Sequence, residues 1–344
     1  MPSPGRYVST GGLPERTSVA EVVRAAYETF RDVGEGVVSD VYPALAAAEP
    51  DSFGVCVAAT DGRLFEAGDA RQPFTIMSVA KPFVFALVCQ ATGLDAIRAL
   101  VGVNATGLPF NSVQAVERSP RGRTNPMVNP GAIATTSLTP GGSRDARWRF
   151  VVDGLSSFAG RELGLDRLVL ESALATNHRN RALAALLRSV DGLAGDPGEA
   201  VELYTRQSCL SVTATDLAVM GATLADGGIC PVTQQRVVDP DTARETLAVM
   251  TIAGLYETSG DWLLDVGVPG KSGIGGGIVT VSPGKGALGT FAPRLDQAGN
   301  SVRGQLAARF LARRLGLDLL ASQPVPPAPA VVPGATELPR SESR

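Results

Sequence analysis

The spacing of apolar and polar residues predicts a helix near the start of the chain, followed by a pair of strands. Apolar positions recur with helical spacing from about Ser18 to Ala48. Ser52 to Ala59 and Gly62 to Ala67 have strand character, and the Asp-Gly pair at their junction favours a tight turn. We therefore expect a β-hairpin within residues 52–67.

A second, buried helix is expected to begin at Ser78. Residues 73–77 have extended character, and an apolar run from Phe83 to Cys89 then ends at Thr92-Gly93. From about residue 94 to 235 the pattern stays mostly helical. Ser78 is thereby placed at the N-terminus of a helix that opens a long helical region.

The last third of the chain returns to strands. After about residue 245, segments 274–281 and 287–292 have strand character, and a helix follows from Ser301 to about Leu320. Strands from both ends of the chain thus flank a helical middle. This pattern predicts an α/β fold with a mainly antiparallel sheet built from both chain ends, a helical subdomain inserted between them, and a site at the junction.

Turn signals and composition set the expected domain boundaries. Residues from Gln323 onward are rich in Pro, Ala and Ser without periodicity, which is typical of a disordered tail. We expect an N-terminal extension, a catalytic unit with a sheet part and a helical part, and that tail. The extension covers residues 1–17, the catalytic unit residues 18–322 and the tail residues 323–344. Within the catalytic unit, the sheet part covers about 18–77 and 240–322, and the helical part about 78–239.

Composition excludes several classes of partner. The 344 residues are 44% hydrophobic and carry a formal net charge of −3, which allows one large core or two modest ones. The arginines are scattered instead of forming a basic face, so nucleic acid is not an expected partner. No apolar segment approaches the roughly 18 residues of a membrane span, and residues 1–12 lack the parts of a secretion signal. We expect a cytoplasmic protein with no membrane partner.

Neither a metal centre nor a cofactor is expected. His178 is the single histidine, so the chain has neither a histidine metal cluster nor an assured Ser-His-Asp triad. Residues 284–289 match G-x-G-x-x-G, but strand-like residues follow, which favours a hairpin turn over a dinucleotide site. Four widely spaced cysteines without C-x-x-C spacing are expected to be free buried thiols: Cys56, Cys89, Cys209 and Cys230.

Lysine is rare in this chain. Its 31 basic residues include three lysines, Lys81, Lys271 and Lys285, which leaves 28 arginines. An ammonium can lose its proton when burial or nearby positive charge lowers its pKa, whereas a guanidinium cannot near neutral pH. Ser78 to Lys81 form an S-x-x-K motif, and Lys271-Ser272-Gly273 form a K-[ST]-G motif. These are the two outer motifs of the serine acyl-enzymes that include β-lactamases and transpeptidases.

The S-x-x-K spacing places Ser78 and Lys81 on one face of a helix, close enough to meet. In the first helical turn, free N–H groups can stabilise an oxyanion, and the positive end of the helix dipole disfavours the charged form of Lys81. A neutral Lys81 can accept the serine proton. The spacing therefore predicts a serine nucleophile with a lysine base.

Further segments occur in a fixed order between about Val22 and Leu317. They are 39–46 (Ser-Asp-Val-Tyr-Pro-Ala-Leu-Ala), 74–83, 104–111, 125–133 (Asn-Pro-Met-Val-Asn-Pro-Gly-Ala-Ile), 179–180, Tyr204, 216–218, 254–256, 259–260 and 271–278. Through these segments the chain resembles the bacterial-type glutaminases, which are serine-dependent enzymes that hydrolyse L-glutamine to L-glutamate and ammonia. The resemblance implies a β-lactamase/transpeptidase-like fold, no cofactor, and a homo-oligomer, either dimer or tetramer.

The resemblance also implies roles for individual residues. It makes Ser78 the nucleophile, Lys81 its base and Tyr256 part of the proton path. Backbone N–H groups of Ser78 and Ile274 would form the oxyanion hole, and Tyr42 would line the substrate. Asn129, Asn180 and Tyr204 would hold the α-carboxylate and amino end of the substrate. The implied substrate-binding residues are Tyr42, Ser78, Asn129, Asn180, Tyr204, Tyr256 and Ile274.

Three positions depart from the family pattern. Seven residues before Asn180 the family has a Glu that holds the substrate's ammonium, whereas this chain has Ala173, and Glu171 stands two residues early. Met77 replaces a Gln ahead of the serine, and Pro130 replaces an Ala. Losing a charge-paired hydrogen bond costs about 1.5–3 kcal/mol, so weak glutamine binding, a changed substrate and a disabled enzyme are all open.

Three hypotheses for function follow. The first is hydrolysis of L-glutamine through a Ser-Lys acyl-enzyme. The second is a β-lactamase or peptidase-like acyl transferase on the same fold, although no S-D-N tripeptide lies between the two outer motifs. The third is a degenerate glutaminase homologue that binds a ligand without turnover, a hypothesis that rests on Ala173.

Overall fold

A computed structural model of the chain describes Leu13 and residues 16–322, and the following statements concern that part. The predicted tail, residues 323–344, and most of the predicted extension, residues 1–17, lie outside the described residues.

The described part combines helices with short antiparallel sheets. The α-helices are α1 (Arg16–Phe30), α2 (Ala80–Thr92), α3 (Leu94–Leu100), α4 (Val113–Glu117), α5 (Asn129–Ser137), α6 (Arg144–Ala159), α7 (Arg167–Thr176), α8 (His178–Ser189), α9 (Pro197–Ser208), α10 (Ala214–Ala225), α11 (Pro240–Ala253), α12 (Ser259–Val266) and α13 (Val302–Arg314). The strands are β1 (Val37–Val38), β2 (Gly54–Ala59), β3 (Leu64–Gly68), β4 (Phe74–Thr75), β5 (Ser211–Val212), β6 (Gly270–Ser272), β7 (Gly277–Ser282), β8 (Gly286–Phe291) and β9 (Arg294–Leu295). Short 3₁₀ helices lie at Pro43–Ala47, Met77–Val79, Pro120–Gly122 and Tyr256–Thr258.

The main sheet has five antiparallel strands in the order β3-β2-β8-β7-β6. Strand β2 from the first part of the chain pairs with β8 from the last part, with Val55 opposite Thr290. The predicted hairpin is present as β2 and β3, and the sheet is built from both chain ends as predicted. Two smaller sheets pair β1 with β9 and β4 with β5.

Side chains of alternating strand positions enter two separate cores, because successive residues of a strand point to opposite faces of the sheet. Val55 and Val57 of β2 pack in one cluster with apolar residues of α1 and α13. Cys56 and Ala58 pack in the other cluster, which also contains α2 and α10. The sheet is therefore covered by helices on both faces, and all six residues of β2 are buried.

Helix α10 lies directly on the sheet because a glycine makes room for it. A Cβ at Gly289 of β8 would collide with the carbonyl oxygen of Ala214 and lie 2.6 Å from the nitrogen of Ala218. Both of those atoms belong to the α10 backbone and cannot move aside without shifting the helix. The lack of a side chain at Gly289 thus sets the distance between α10 and β8.

The helix predicted over residues 18–48 was too long. Helix α1 ends at Phe30, and Gly36 then takes φ +91°, a left-handed conformation that a regular helix cannot contain. Pro43 begins a separate 3₁₀ helix, where its missing N–H does no harm. The apolar pattern continues across both breaks, so it did not predict where the helix ends.

The return to strands comes later than the predicted residue 245. Helices α11 and α12 precede β6, and Leu247 and Met250 of α11 share a buried cluster with α2. The helical part therefore extends to Ala253, beyond the expected boundary at 239. The apolar residues Ala243, Leu247 and Met250 are spaced by four and three positions, which is the repeat of a helical face.

Two predicted end points also differ. The strand expected over 274–281 begins at Gly277, because residues 273–276 form a turn after β6. Residues 283–285 join β7 to β8 as a hairpin, as expected from the glycine pattern there. The final helix ends at Arg314 instead of near Leu320, since Gly316 takes φ +63°.

No single helix among the described residues is long and apolar enough to cross a membrane. Residues Met77–Thr92 and Leu94–Leu100 meet the length and composition requirement only together, as a pair bent by 116°.

Candidate active site

Ser78 lies at a strained point of the backbone. It occupies the 3₁₀ turn Met77–Val79 immediately before α2, and Met77 has φ +46°. A non-glycine residue in this region is uncommon and marks a conformation imposed by its surroundings. Tyr256, which is close to Ser78, is similarly strained with φ +58°.

The glycine-rich turn after β6 approaches Ser78 closely. A Cβ on Gly273 would lie 3.1 Å from the Ser78 nitrogen, and one on Gly275 would collide with the Thr75 carbonyl oxygen. Residues with side chains at these positions would push the turn away. The glycines therefore hold Ile274, which lies between them, beside the serine.

Ser78 and Lys81 are in direct contact. The Nζ atom of Lys81 lies 3.1 Å from Oγ of Ser78 and 2.6 Å from Oδ1 of Asn129. The Lys81 side chain is buried, at 2% exposure, and its surroundings contain no carboxylate partner among the described residues. Burial lowers the pKa of Lys81 to about 7. The helix dipole invoked from the sequence is not needed to explain this lowering.

Three polar side chains form a chain of hydrogen bonds behind Lys81. Asn129, at the start of α5, accepts from Lys81 and from the Tyr204 hydroxyl, which lies 3.0 Å from its Oδ1. Its Nδ2 donates to Oδ1 of Asn180 at 2.9 Å. Burial raises the pKa of Tyr204 well above its ordinary value, so its phenol stays protonated.

A second buried lysine lies next to Tyr256. The Lys271 Nζ lies 4.0 Å from the centre of the Tyr256 ring and donates to the Ser272 carbonyl oxygen at 2.5 Å. The Tyr256 hydroxyl donates to the same oxygen at 3.3 Å. Burial, and then the neighbouring Lys81, lower the pKa of Lys271 well below its ordinary value. Burial raises the pKa of Tyr256 to about 12, so the hydroxyl keeps its proton at neutral pH.

The structure brings all eight predicted site residues together. Six of them line one pocket: Tyr42, Ser78, Asn129, Asn180, Tyr204 and Ile274. Lys81 and Tyr256 lie immediately behind Ser78. Burial raises the pKa of Tyr42 to about 12, with smaller effects of Cys209, which also raises it, and of the hydrogen bond to Asn180, which lowers it.

Sequence reasoning missed several residues of the site. Phe110 lines the pocket, packs 4.7 Å from the Tyr256 ring, and its carbonyl oxygen accepts from the Asn129 backbone N–H at 2.7 Å. Asn300 holds Ser272 through a hydrogen bond of 2.5 Å from the Ser272 hydroxyl. The segment 104–111 was noted for its resemblance, but nothing in the sequence gave Asn300 a role.

The structure shows where the three residues that depart from the family pattern lie. Ala173 is fully buried and lines the pocket, whereas Glu171 is exposed on α7 and lies outside the pocket lining. Met77 also lines the pocket. Pro130 occupies the first turn of α5, a position that tolerates proline because its N–H would be unbonded there.

Within the described residues, no three His, Cys, Asp or Glu side chains form a group that could hold a metal ion. The four cysteines are free and buried.

The fold and the site together define a class. An S-x-x-K serine turn before a buried helix packs beside a K-S-G edge strand of a five-stranded antiparallel sheet, which is the β-lactamase-like architecture. The glutaminase family model matches residues 36–320. The chain belongs to the glutaminase family, and the predicted family and fold class are confirmed.

Individual relatives support the same assignment. Glutaminase 2 of Yersinia pestis is 61% identical over 318 residues, which cover 92% of this chain and 94% of that protein. The solved structure of the probable glutaminase ybaS superposes with a TM-score of 0.88 at 39% identity, covering 90% of this chain and 100% of that one. Mglu in its glutamate form gives a TM-score of 0.85 at 39% identity, covering 90% of this chain and 71% of that one.

Proposed function

We propose that this protein hydrolyses L-glutamine to L-glutamate and ammonia through a Ser-Lys acyl-enzyme. The observation that carries the proposal is the Lys81 amine 3.1 Å from the Ser78 hydroxyl, with its pKa lowered to about 7 by burial. Its relatives bear the name glutaminase, and one of them, Mglu, was solved in a glutamate form.

The acylation step uses Lys81 as a base. The neutral amine takes the hydroxyl proton as Ser78 Oγ attacks the side-chain amide carbon of glutamine, forming a C–O bond. The negative charge that develops on the amide oxygen is met by the backbone N–H groups of Ser78 and Ile274, which act as the oxyanion hole. Fixed donors of this kind stabilise the transition state because they need no rearrangement as the charge forms.

Release of ammonia requires a proton donor. Tyr256 keeps its proton because burial raises its pKa to about 12, and its hydroxyl lies beside Ser78. It donates to the departing nitrogen as the C–N bond breaks, and the Lys81 ammonium returns a proton to Tyr256. A glutamyl ester on Ser78 remains. Lys81 then deprotonates a water molecule, which attacks the ester, and Ser78 recovers its proton as L-glutamate leaves.

Neutral and positively charged donors bind the carboxylate end of the substrate. Arg179 and Asn180 both line the pocket, on the first turn of α8. The Asn180 Oδ1 accepts from Asn129, so its Nδ2 is turned toward other partners. We assign the α-carboxylate of glutamine to these donors, with Tyr204 and Tyr42 on either side.

Ammonia release by purified protein tests the proposal. Wild-type protein is expected to release ammonia from L-glutamine, and Ser78→Ala is expected to abolish it. Ser189→Ala serves as the matched control, because Ser189 is an exposed residue at the end of α8 whose hydroxyl bonds only the Leu186 carbonyl oxygen. Equal glutamine turnover by Ser78→Ala and wild type would refute the serine nucleophile.

The same assay separates the two other hypotheses. A chromogenic β-lactam hydrolysed faster than glutamine would favour a β-lactamase-like acyl transferase. No turnover of any amide by wild type, with turnover restored in Ala173→Glu, would favour a degenerate homologue. We rank both below glutamine hydrolysis, because the pocket retains the serine, the lysine and the tyrosine that the reaction uses.

We further propose that the protein acts in the cytoplasm as a homo-oligomer. Four free buried cysteines suit a reducing compartment, where disulfides do not form. We base the homo-oligomer on the resemblance to the bacterial-type glutaminases. Light scattering coupled to size-exclusion chromatography tests the oligomer, and a monomeric mass at micromolar concentration would contradict it.

A further inference from the structure

The pocket beside Ser78 offers a substrate no negative charge. Among its lining residues in the described part of the chain, none is Asp or Glu, and Arg179 carries a permanent positive charge. Ala173 forms part of its wall and packs with Met77, Val169 and Cys209 in one apolar cluster. The pocket wall at Ala173 therefore contributes no acidic side chain.

Three amide oxygens at the pocket, those of Asn129, Asn177 and Asn180, already accept hydrogen bonds. Oδ1 of Asn129 accepts from both Lys81 and Tyr204, which fills its two lone pairs. Oδ1 of Asn180 accepts from Asn129, and Oδ1 of Asn177 accepts from the Arg181 guanidinium at 2.8 Å. A substrate ammonium group would find only neutral oxygens as acceptors, and each of them forms a weaker hydrogen bond with ammonium than a carboxylate does.

Carboxylates outside the pocket do not replace the missing one. Asp166 lies near Cys209, and its Oδ1 caps α7 by accepting from the Val169 N–H at 3.0 Å. Glu257 and Glu171 are exposed to solvent, where their fields are screened. The charges that face the pocket most directly are thus Arg179 and the titrating amine of Lys81. Such a site favours a carboxylate and disfavours a cation.

We propose that this site takes ω-amides of carboxylic acids whose α-carbon bears no positive charge, and that it prefers them to L-glutamine. The proposal rests on the proposed function, since the chemistry at the amide is the same. Glutaramate, the monoamide of glutaric acid, is the simplest member of this class. Its C–N bond breaks, ammonia leaves, the acyl group passes to Ser78 and then to water, and glutarate is released.

Ammonia release from glutaramate and from L-glutamine by the wild-type protein is the first test. The value of kcat/KM for glutaramate is expected to equal or exceed that for glutamine. Raising the pH removes the proton from the α-ammonium of glutamine, so the glutamine-to-glutaramate ratio of kcat/KM is expected to increase with pH. Titrations of the enzyme itself affect both substrates and cancel in this ratio.

A pair of variants tests the role of position 173. Ala173→Glu is expected to raise the glutamine-to-glutaramate ratio about tenfold or more, because a charged partner strengthens the hydrogen bond to ammonium. Ala173→Gln has the same size without the charge and is expected to leave the ratio within about threefold of wild type. The wild-type comparison needs neither variant and stands if one of them fails to fold.

The outcomes distinguish the two proposals. A wild-type preference for glutamine of tenfold or more, unchanged by pH, overturns the substrate preference while leaving glutamine hydrolysis intact. Equal changes of the ratio in Ala173→Glu and Ala173→Gln overturn the electrostatic reason for it. Ammonia from neither amide overturns the proposed function, and this inference with it.

Discussion

Two lysine side chains buried in one site cannot both be charged without a large penalty. Lys81 and Lys271 are both buried beside the Tyr256 ring, and no ion pair with a carboxylate is found for either lysine among the described residues. Burial lowers the pKa of both amines, and the presence of Lys81 lowers that of Lys271 further. Lys81 is the amine whose pKa, lowered by burial to about 7, lies near neutral pH.

The lowered pKa of Lys81 predicts the pH dependence of the reaction. Burial lowers the pKa of Lys81 to about 7, and only the neutral amine has a lone pair to accept the Ser78 proton. We expect kcat/KM to fall about tenfold per pH unit below pH ~6.5 and to level off above pH ~7.5. Initial rates of ammonia release between pH 5 and about 8.5 check this. Activity that rises steadily as the pH falls would contradict a neutral Lys81.

Substitution of Lys81 tests whether a proton acceptor or a positive charge is needed. Lys81→Arg keeps the charge but cannot lose a proton, so it is expected to be nearly as inactive as Lys81→Ala, about 10²–10⁴ below wild type in kcat. Lys285→Arg provides the control for arginine at another buried lysine, since Lys285 bonds only the Gly316 carbonyl oxygen. Circular dichroism establishes that each variant is folded. Substantial turnover by Lys81→Arg would refute the base.

At the scale of single residues, the sequence predicted contacts only between residues that are close together along the chain. Ser78 and Lys81 are three residues apart, so helical geometry alone predicted their contact, now measured at 3.1 Å. Asn300 supports Ser272 from 28 residues away, and no periodicity signals such a contact. Phe110 acts partly through its backbone carbonyl, which every residue possesses, so its identity carried no sign of that role.

At the level of helices and strands, the sequence predicted elements that local patterns define. It did not predict which elements that are distant in sequence pack together. The β2–β3 hairpin follows from alternation and an Asp-Gly turn within one segment. The contact of α10 with β8 depends on Gly289 and Ala214, which are 75 residues apart, and a glycine in a strand pattern does not say which element it admits. Helix α11 was missed because its apolar face was assigned to the strand region that follows.

Substitution of Gly289 measures how much that close approach contributes to stability. Gly289→Ala places a Cβ against two backbone positions of α10, which must shift, so we expect unfolding free energy to fall by about 2–4 kcal/mol. Gly260→Ala in α12 is the control, because a Cβ there meets nothing within 4 Å and alanine favours helix. Urea denaturation of both variants gives the comparison. A Gly289→Ala protein as stable as Gly260→Ala would show that α10 can move freely.

At the scale of the whole molecule, the sheet joins both cores and carries the site at its edge. One face of β2 belongs to the cluster of α1 and α13, and the other face to the cluster of α2 and α10. Strands flanking a helical middle were enough to predict a site at the junction. The strand order β3-β2-β8-β7-β6 was not predictable, because β2 and β8 pair across more than 200 residues and alternation does not identify partners.

The two ends of the described chain are tied together by one buried arginine. Arg303 of α13, at 2% exposure, donates from Nε to the Val33 carbonyl oxygen and from Nη1 to that of Asp51, each at 2.7 Å. These carbonyls follow α1 and precede β2. The guanidinium therefore connects the C-terminal helix to both elements of the N-terminal part.

Replacing Arg303 is expected to lower the stability of the whole molecule without changing the chemistry at the active site. Arg303→Leu leaves two carbonyl oxygens without their donor, and each unsatisfied buried group costs about 1–3 kcal/mol, so we expect the free energy of unfolding to fall by about 2–5 kcal/mol. Arg309→Leu on the same helix removes an exposed pair with Asp265 at 3.4 Å and is expected to change stability by less than about 1 kcal/mol. Urea unfolding followed by fluorescence measures both, with ammonia release at low temperature as the check on the site. Equal losses in the two variants would mean that Arg303 contributes no more than a surface charge, and the two ends of the chain would then be held by apolar packing alone.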